Sequence, residues 1–309
     1  MFKSSTNQAI ILALIAAVVS GAANFVNKFA VKSFSDPFVF TTLKNLLVAL
    51  ALFLVLFRNR DLVNLKNTAS QFRPKLARNF LWIALIGGSV PFLLFFYGLS
   101  LTSAVSASFI HKTLFIWVAI LSAFYLTEKP DRKQLLALVF LFTAVWLANG
   151  FKWFKFNWGD GLVLVATLMW SVEYILVKKT LVWTNYRLVV GARMIGGSLI
   201  MILFLLISGR WQALNQLNLI QIYWLAVTSL ILLAFVLTWY KALSLAPASL
   251  VTIVLTIAAP ITAWLNFIWS KQIDIWQILS GLALALAVSW LISLFKNRHY
   301  AAKSQSVGF

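Results

Sequence analysis

Residues 99–128 read LSLTSAVSASFIHKTLFIWVAILSAFYLTE, and residues 243–272 read LSLAPASLVTIVLTIAAPITAWLNFIWSKQ. At an offset of 144, Leu99-Ser100-Leu101 falls on Leu243-Ser244-Leu245, Ala104 on Ala248, Ala119 on Ala263 and Leu121 on Leu265. Further along, Trp146-Leu147 meets Trp290-Leu291 at the same offset. Each stretch opens on a short polar turn and continues through about 20 apolar residues, enough to cross a bilayer. A repeat of this size implies a chain built from two related halves.

Hydrophobic residues make up 62% of the 309 positions and charged residues 11%. A soluble chain could not cover so large an apolar core with polar surface, so the expected class is an all-α integral membrane protein. The net charge of +19 would suggest nucleic acid for a soluble protein. Here the basic residues sit mostly in short loops between apolar runs, so the expected partner is the lipid bilayer and not nucleic acid. With no cysteine, disulfides, a thiolate nucleophile and a zinc ribbon are excluded. The first apolar run is too long for a signal-peptide core and is read as retained.

Ten apolar runs follow one another, at roughly 8–30, 37–57, 80–98, 104–127, 134–150, 159–177, 188–208, 220–240, 249–270 and 275–295. An even number places both termini on one side. Seventeen Lys and Arg flank the runs on the side of the termini, against five (Lys32, Lys152, Lys155, Arg210 and Lys271) on the other. The positive-inside bias then makes both termini cytoplasmic, in the cell (inner) membrane of a multi-pass protein. Tryptophans near run ends, such as Trp82, Trp158, Trp183 and Trp224, read as interfacial anchors, and Tyr97, Trp239 and Tyr240 are placed with them. Five runs per half invert the second half relative to the first, giving ten transmembrane helices as two inverted five-helix repeats. Lys28 then matches Lys178, Lys44 matches Arg193, and Trp82 matches Trp224. Inverted halves of this kind can open a central site alternately to each face.

The five-plus-five duplication, the basic residue early in runs two and seven, and the small-residue opening of run four closed by Thr127-Glu128 resemble the EamA-like branch of the drug/metabolite transporter superfamily. The resemblance divides the chain into a first repeat at 1–150, a second at 157–297 and a cytoplasmic tail at 298–309. Pro260 of run nine looks like the family's recurring proline, whereas run four has Ile116 at the matching place. Lys271-Gln272 stands where Thr127-Glu128 would recur, so any role of Glu128 is not duplicated. The resemblance implies a secondary transporter of a small metabolite, such as an amino acid or related carboxylate, with export the expected direction. An organic-phosphate or nucleotide-sugar antiporter of the same superfamily is the alternative.

Lys28, Lys44, Lys112, Glu173 and Arg193 lie inside apolar runs. Each would cost roughly 2.5–3.5 kcal/mol at a helix centre, so each needs an offset. Lys28, near a run end, is expected to snorkel to the headgroups. Glu173 and Arg193 come out at similar depth and are expected to pair, as a structural bridge or as a coupling site for protons or a substrate amine. Lys44 has no acidic mate, because Ala23 occupies the place matching Glu173, and its expected neighbours are Asn24 and Asn27. His111 and Lys112 add positive character, with His111 read as a hydrogen-bonded packing residue. Lys44, Lys112 and Arg193 against Glu173 give a net positive cavity, suited to a carboxylate or phosphate. Gly191, Gly196, Gly197 and Ser198 read as close-packing positions, and Pro91 and Pro260 as bends.

An intramembrane enzyme would need more than His111 and His299, and no pair of nearby acids or metal-ligand spacing is present. No catalytic residue, metal or cofactor is therefore expected. A channel would show a repeated pore-lining ring. The partners expected are a small-molecule substrate and lipid; proton coupling and a homodimer stay open. The topology has a direct check in this cysteine-free chain: an impermeant thiol reagent in intact cells should modify a cysteine at Phe154 and spare one at Asn67, and the reverse pattern would invert the assignment.

Overall fold

The computed structural model describes residues 2–59, 61, 73–102, 104–126, 132–147, 157–271, 279 and 281–294. Among them there is no β-strand. The helices are α1 (Phe2–Lys32), α2 (Pro37–Arg58), α3 (Pro74–Leu101), α4 (Ala104–Lys112), α5 (Leu114–Tyr125), α6 (Arg132–Leu147), α7 (Trp158–Thr180), α8 (Tyr186–Ile207), α9 (Leu219–Leu245), α10 (Ala248–Leu255), α11 (Ala258–Ser270) and α12 (Gly281–Leu294). Seven segments of the described residues are long and apolar enough to cross a membrane, and shorter apolar helices accompany them.

Side chains that satisfy the free backbone donors of the first turn fix where several helices begin. Asp36 accepts from the Phe38 N–H at 2.8 Å and Pro37 follows it at the first helical position. Asn185 caps α8 through the Leu188 N–H at 3.0 Å. Asn157 with Asp160, and Asn218 with Gln221, form reciprocal capping boxes at the starts of α7 and α9.

The two halves interlock. Helix α1 packs along α9 and meets α10 and α11; α7 packs along α3 and meets α4 and α5. Exchanging the repeats turns the first set of contacts into the second, as expected of two paired repeats. The clearest instance ties α2 to α8. At an offset of 149, Asp36 corresponds to Asn185 and Asp61 to Arg210. Arg210 bonds Asp36 at 2.5 Å beyond one end of the pair, and Asn185 donates to Asp61 at 2.9 Å beyond the other. Arg187 adds a fork to Asp61, with 2.6 Å to Oδ2 and 3.1 Å to Oδ1.

Runs four and nine, each expected as one helix, are broken in two. The breaks fall at Thr113 and at Thr256-Ile257, and Thr113 matches Ile257 at the repeat offset of 144. In the second half Pro260 cannot donate to the Thr256 carbonyl. The first half breaks without a proline: the Thr113 N–H bonds Ile110 at 3.1 Å and the Ile116 N–H bonds Thr113 at 2.9 Å, a tightened turn between α4 and α5. Thr127-Glu128, Gln272, Trp153, Trp276 and the tail at 298–309 lie outside the described residues.

Helices α3 and α8 each contain a widened π-type turn, at Ala84–Ser89 and Ala192–Gly196, and the two turns cross. The crossing depends on glycine. A Cβ on Gly88 would lie 1.9 Å from the Arg193 carbonyl oxygen, and one on Gly197 would lie 2.3 Å from that of Gly88. Pro91 has no N–H for the Gly87 carbonyl four residues back, and the Trp170 indole N–H of α7 donates to that carbonyl at 3.0 Å. Gly88→Ala should therefore force α3 from α8 and destabilise the bundle by roughly 1–3 kcal/mol. Melting of the purified protein in detergent reads this, and an unchanged midpoint would mean that the crossing is not tight.

Candidate functional site

Seven helices from both halves converge on one open-mouthed cavity, with about 670 Å³ of empty space counted out into the solvent at its mouth. Helix α1 contributes Ser20, Ala23, Asn24 and Asn27, α2 contributes Lys44, α3 contributes Phe92, Phe95 and Phe96, and α4 contributes His111. From the second half come Trp170 and Tyr174 of α7, Arg193 of α8, and Thr228, Leu232 and Phe235 of α9. The structure thus brings together Lys44, His111, Asn24, Asn27 and Arg193. Lys112 does not join them: it ends α4, is 5% exposed, and its Nζ has no hydrogen-bond partner. Its place at a helix C-terminus, where the backbone dipole favours a cation, is the one offset visible for its charge.

Lys44 and Arg193, matched by the repeat, are each 2% exposed. Each is met by aromatic faces of α3 one helical turn apart. Lys44 Nζ lies 3.8 Å from the Phe96 ring centroid and 4.9 Å from that of Phe40, while the Arg193 guanidinium lies 5.1 Å from Phe92. Ring faces offset part of the cost of an interior cation. Lys44 has no ion pair among the described residues. Arg193 Nε stands 3.6 Å from Glu173 Oε1, an ion pair too long for a hydrogen bond. Tyr240 donates its hydroxyl to the same Oε1, and Glu173 Oε2 is buried without a partner. Glu173 itself, 0% exposed, is absent from the lining, and a Cβ on Gly87 would meet its Cγ at 2.4 Å.

Several expectations are corrected here. Trp239 and Tyr240 are not interfacial anchors: both are fully buried, Trp239 against Tyr174 and Tyr240 on Glu173. Their level in run eight matches that of Glu173 in run six, the signal that could have placed them. Lys28, expected to reach the headgroups, donates its Nζ to the Asn266 side chain of α11 and sits over the Phe25 and Phe29 rings. His111 packs edgewise on Phe95 and Trp170, as a packing residue would, while its Nδ1 is buried without a partner. Trp170 went unremarked in the sequence, although its mid-run position sets it apart from the anchoring tryptophans. Asn24 Nδ2 and Asn27 Oδ1 are also buried without partners. No group of three or more metal-ligating side chains occurs among the described residues.

An interlocked apolar bundle with seven described segments long enough to cross a bilayer fits a multi-pass membrane protein, and its ring-lined cavity holds two cationic side chains. The chain belongs to the EamA-like transporter family, whose profile matches residues 7–150 and again residues 157–294. A solved structure described only as a crystal structure of a protein superposes with a TM-score of 0.71 at 15% identity, covering 93% of this chain and 96% of that one. At that identity the likeness concerns the fold alone. No curated protein matches the sequence.

The Glu173–Arg193 contact is open to a double-mutant cycle. Glu173→Gln should leave Arg193 unpaired and lower stability by roughly 3–5 kcal/mol, and adding Arg193→Gln should recover much of that loss. A coupling energy near zero in detergent melts would show that the two charges act independently.

Proposed function

We propose that the protein is a secondary transporter that carries a small carboxylate-bearing metabolite, an amino acid or related carboxylate, across the cytoplasmic membrane. In this reading ten spans form two inverted repeats, both termini are cytoplasmic, and the central site opens alternately to each face, with export the working direction. The observation that carries it is the convergence of Lys44 and Arg193, repeat-matched cations from opposite halves, on one cavity with no acidic residue in its described lining. A carboxylate placed between them would supply the charge that Lys44 lacks and form charge-assisted hydrogen bonds in a water-poor setting. The exchange of contacts between the halves supports alternation, because a pseudo-symmetric pair has two equivalent ways to close.

Thermal stabilisation of the purified protein by amino acids, organic acids, sugar phosphates and nucleotide sugars tests the substrate class. Stabilisation confined to phosphorylated compounds would replace the carboxylate reading by an organic-phosphate antiporter. Lys44→Ala should weaken carboxylate binding about tenfold or more, corresponding to roughly 1.5–3 kcal/mol for a lost charged contact, while the fold persists. Lys44→Arg should retain most of it. Unchanged affinity in Lys44→Ala would make Lys44 a structural cation.

A further inference from the structure

The charges around the cavity do not cancel. Lys44 and Arg193 bring two positive charges to its wall, and Glu173 behind Arg193 returns one negative charge. One positive charge remains among these three groups; Lys112 stands outside the lining, at the C-terminus of α4, and does not enter the count. A ligand that enters this site exchanges water for these fixed charges, so its net charge matters alongside its shape. One carboxylate brings the ligand, Lys44, Arg193 and Glu173 to neutrality. A zwitterion leaves the surplus in place and adds an ammonium group for which the described lining supplies no carboxylate. No described lining residue is acidic, and Glu173 is screened by its packing on Gly87 and its bond from Tyr240. The ring faces of Phe96 and Phe92 are already occupied by Lys44 and Arg193.

Two unmet polar atoms on the α1 wall are of a different kind. Asn24 Nδ2 is a buried donor and Asn27 Oδ1 a buried acceptor, both on the α1 wall of the same cavity. A neutral group that both gives and takes a hydrogen bond would satisfy them. Phe95, Phe235 and Trp170 provide apolar walls for the body of the ligand.

We infer that the site takes a net monoanion: a carboxylate on an aromatic or branched apolar body whose other polar group is neutral, a hydroxyl or acylated nitrogen, and not an ammonium. This rests on the carboxylate reading above and narrows it.

Three compounds with one skeleton test it: 3-phenylpropanoate, L-phenyllactate and L-phenylalanine differ only in carrying hydrogen, hydroxyl or ammonium beside the carboxylate. Binding to the purified protein is measured by calorimetry at neutral pH. L-phenyllactate should bind at least as tightly as 3-phenylpropanoate, and L-phenylalanine at least about tenfold more weakly than either. L-phenylalanine binding as tightly as the other two would overturn the inference and leave the carboxylate reading standing. Binding by none of the three would overturn the inference, and the wider panel of organic acids and amino acids then decides the carboxylate reading. Glu173→Gln raises the surplus to two charges and should shift preference from 3-phenylpropanoate toward the dicarboxylate benzylmalonate; an unshifted preference in a folded variant also counts against the charge argument. Should that variant fail to fold, the comparison on the native chain decides alone.

Discussion

An ammonium and a guanidinium at 2% exposure in an apolar bundle must be offset by something, and much of the neighbouring sequence answers that demand. Phe96 and Phe92 of α3 present one ring to each cation. Glu173 stands behind Arg193 and is steadied by Tyr240. The carboxylate reaches that place only because Gly87 leaves room for its Cγ, and α8 comes near enough only because Gly88 and Gly197 let two backbones touch. Small residues, rings and Glu173 thus belong to one arrangement, organised by charges that hydrocarbon would otherwise expel.

Pro91 shows how such an arrangement passes from helix to helix. The missing N–H frees the Gly87 carbonyl, Trp170 takes it, and Trp170 is thereby fixed as a wall of the cavity beside His111. A backbone defect in the first half is repaired by a side chain of the second. Contacts of this type make the halves interdependent, so neither repeat forms its share of the cavity alone.

Much of the architecture was legible because hydrophobic runs and charge bias are properties of segments. The duplication showed in Leu99-Ser100-Leu101 against Leu243-Ser244-Leu245, and the shared depth of Glu173 and Arg193 followed from helix direction. What stayed hidden depends on rotation about helix axes. Depth places Lys112 beside His111, but successive residues on a helix point about a quarter-turn apart and only His111 faces the cavity. Trp239 and Tyr240 were misplaced for the same reason, their amphipathic rings suiting an interface as well as a polar interior. The break at Thr113 carried no proline to announce it, and only its match to Ile257 shows that the duplication preserves the geometry after the residue type has changed.

The ties between α2 and α8 have a mechanical consequence. Helices linked beyond both ends resist sliding and splaying, so this pair has the character of an axle, while the interrupted segments α4–α5 and α10–α11 offer the joints. The two fastenings are unequal. Arg210 and Asp36 are 43% and 16% exposed, whereas Asp61, at 1%, is gripped by Arg187 and Asn185 together. Dissolved salt screens the first far more than the second. The duplication supplies a symmetric shaft, and the divergence of four side chains gives it one loose bearing and one firm one.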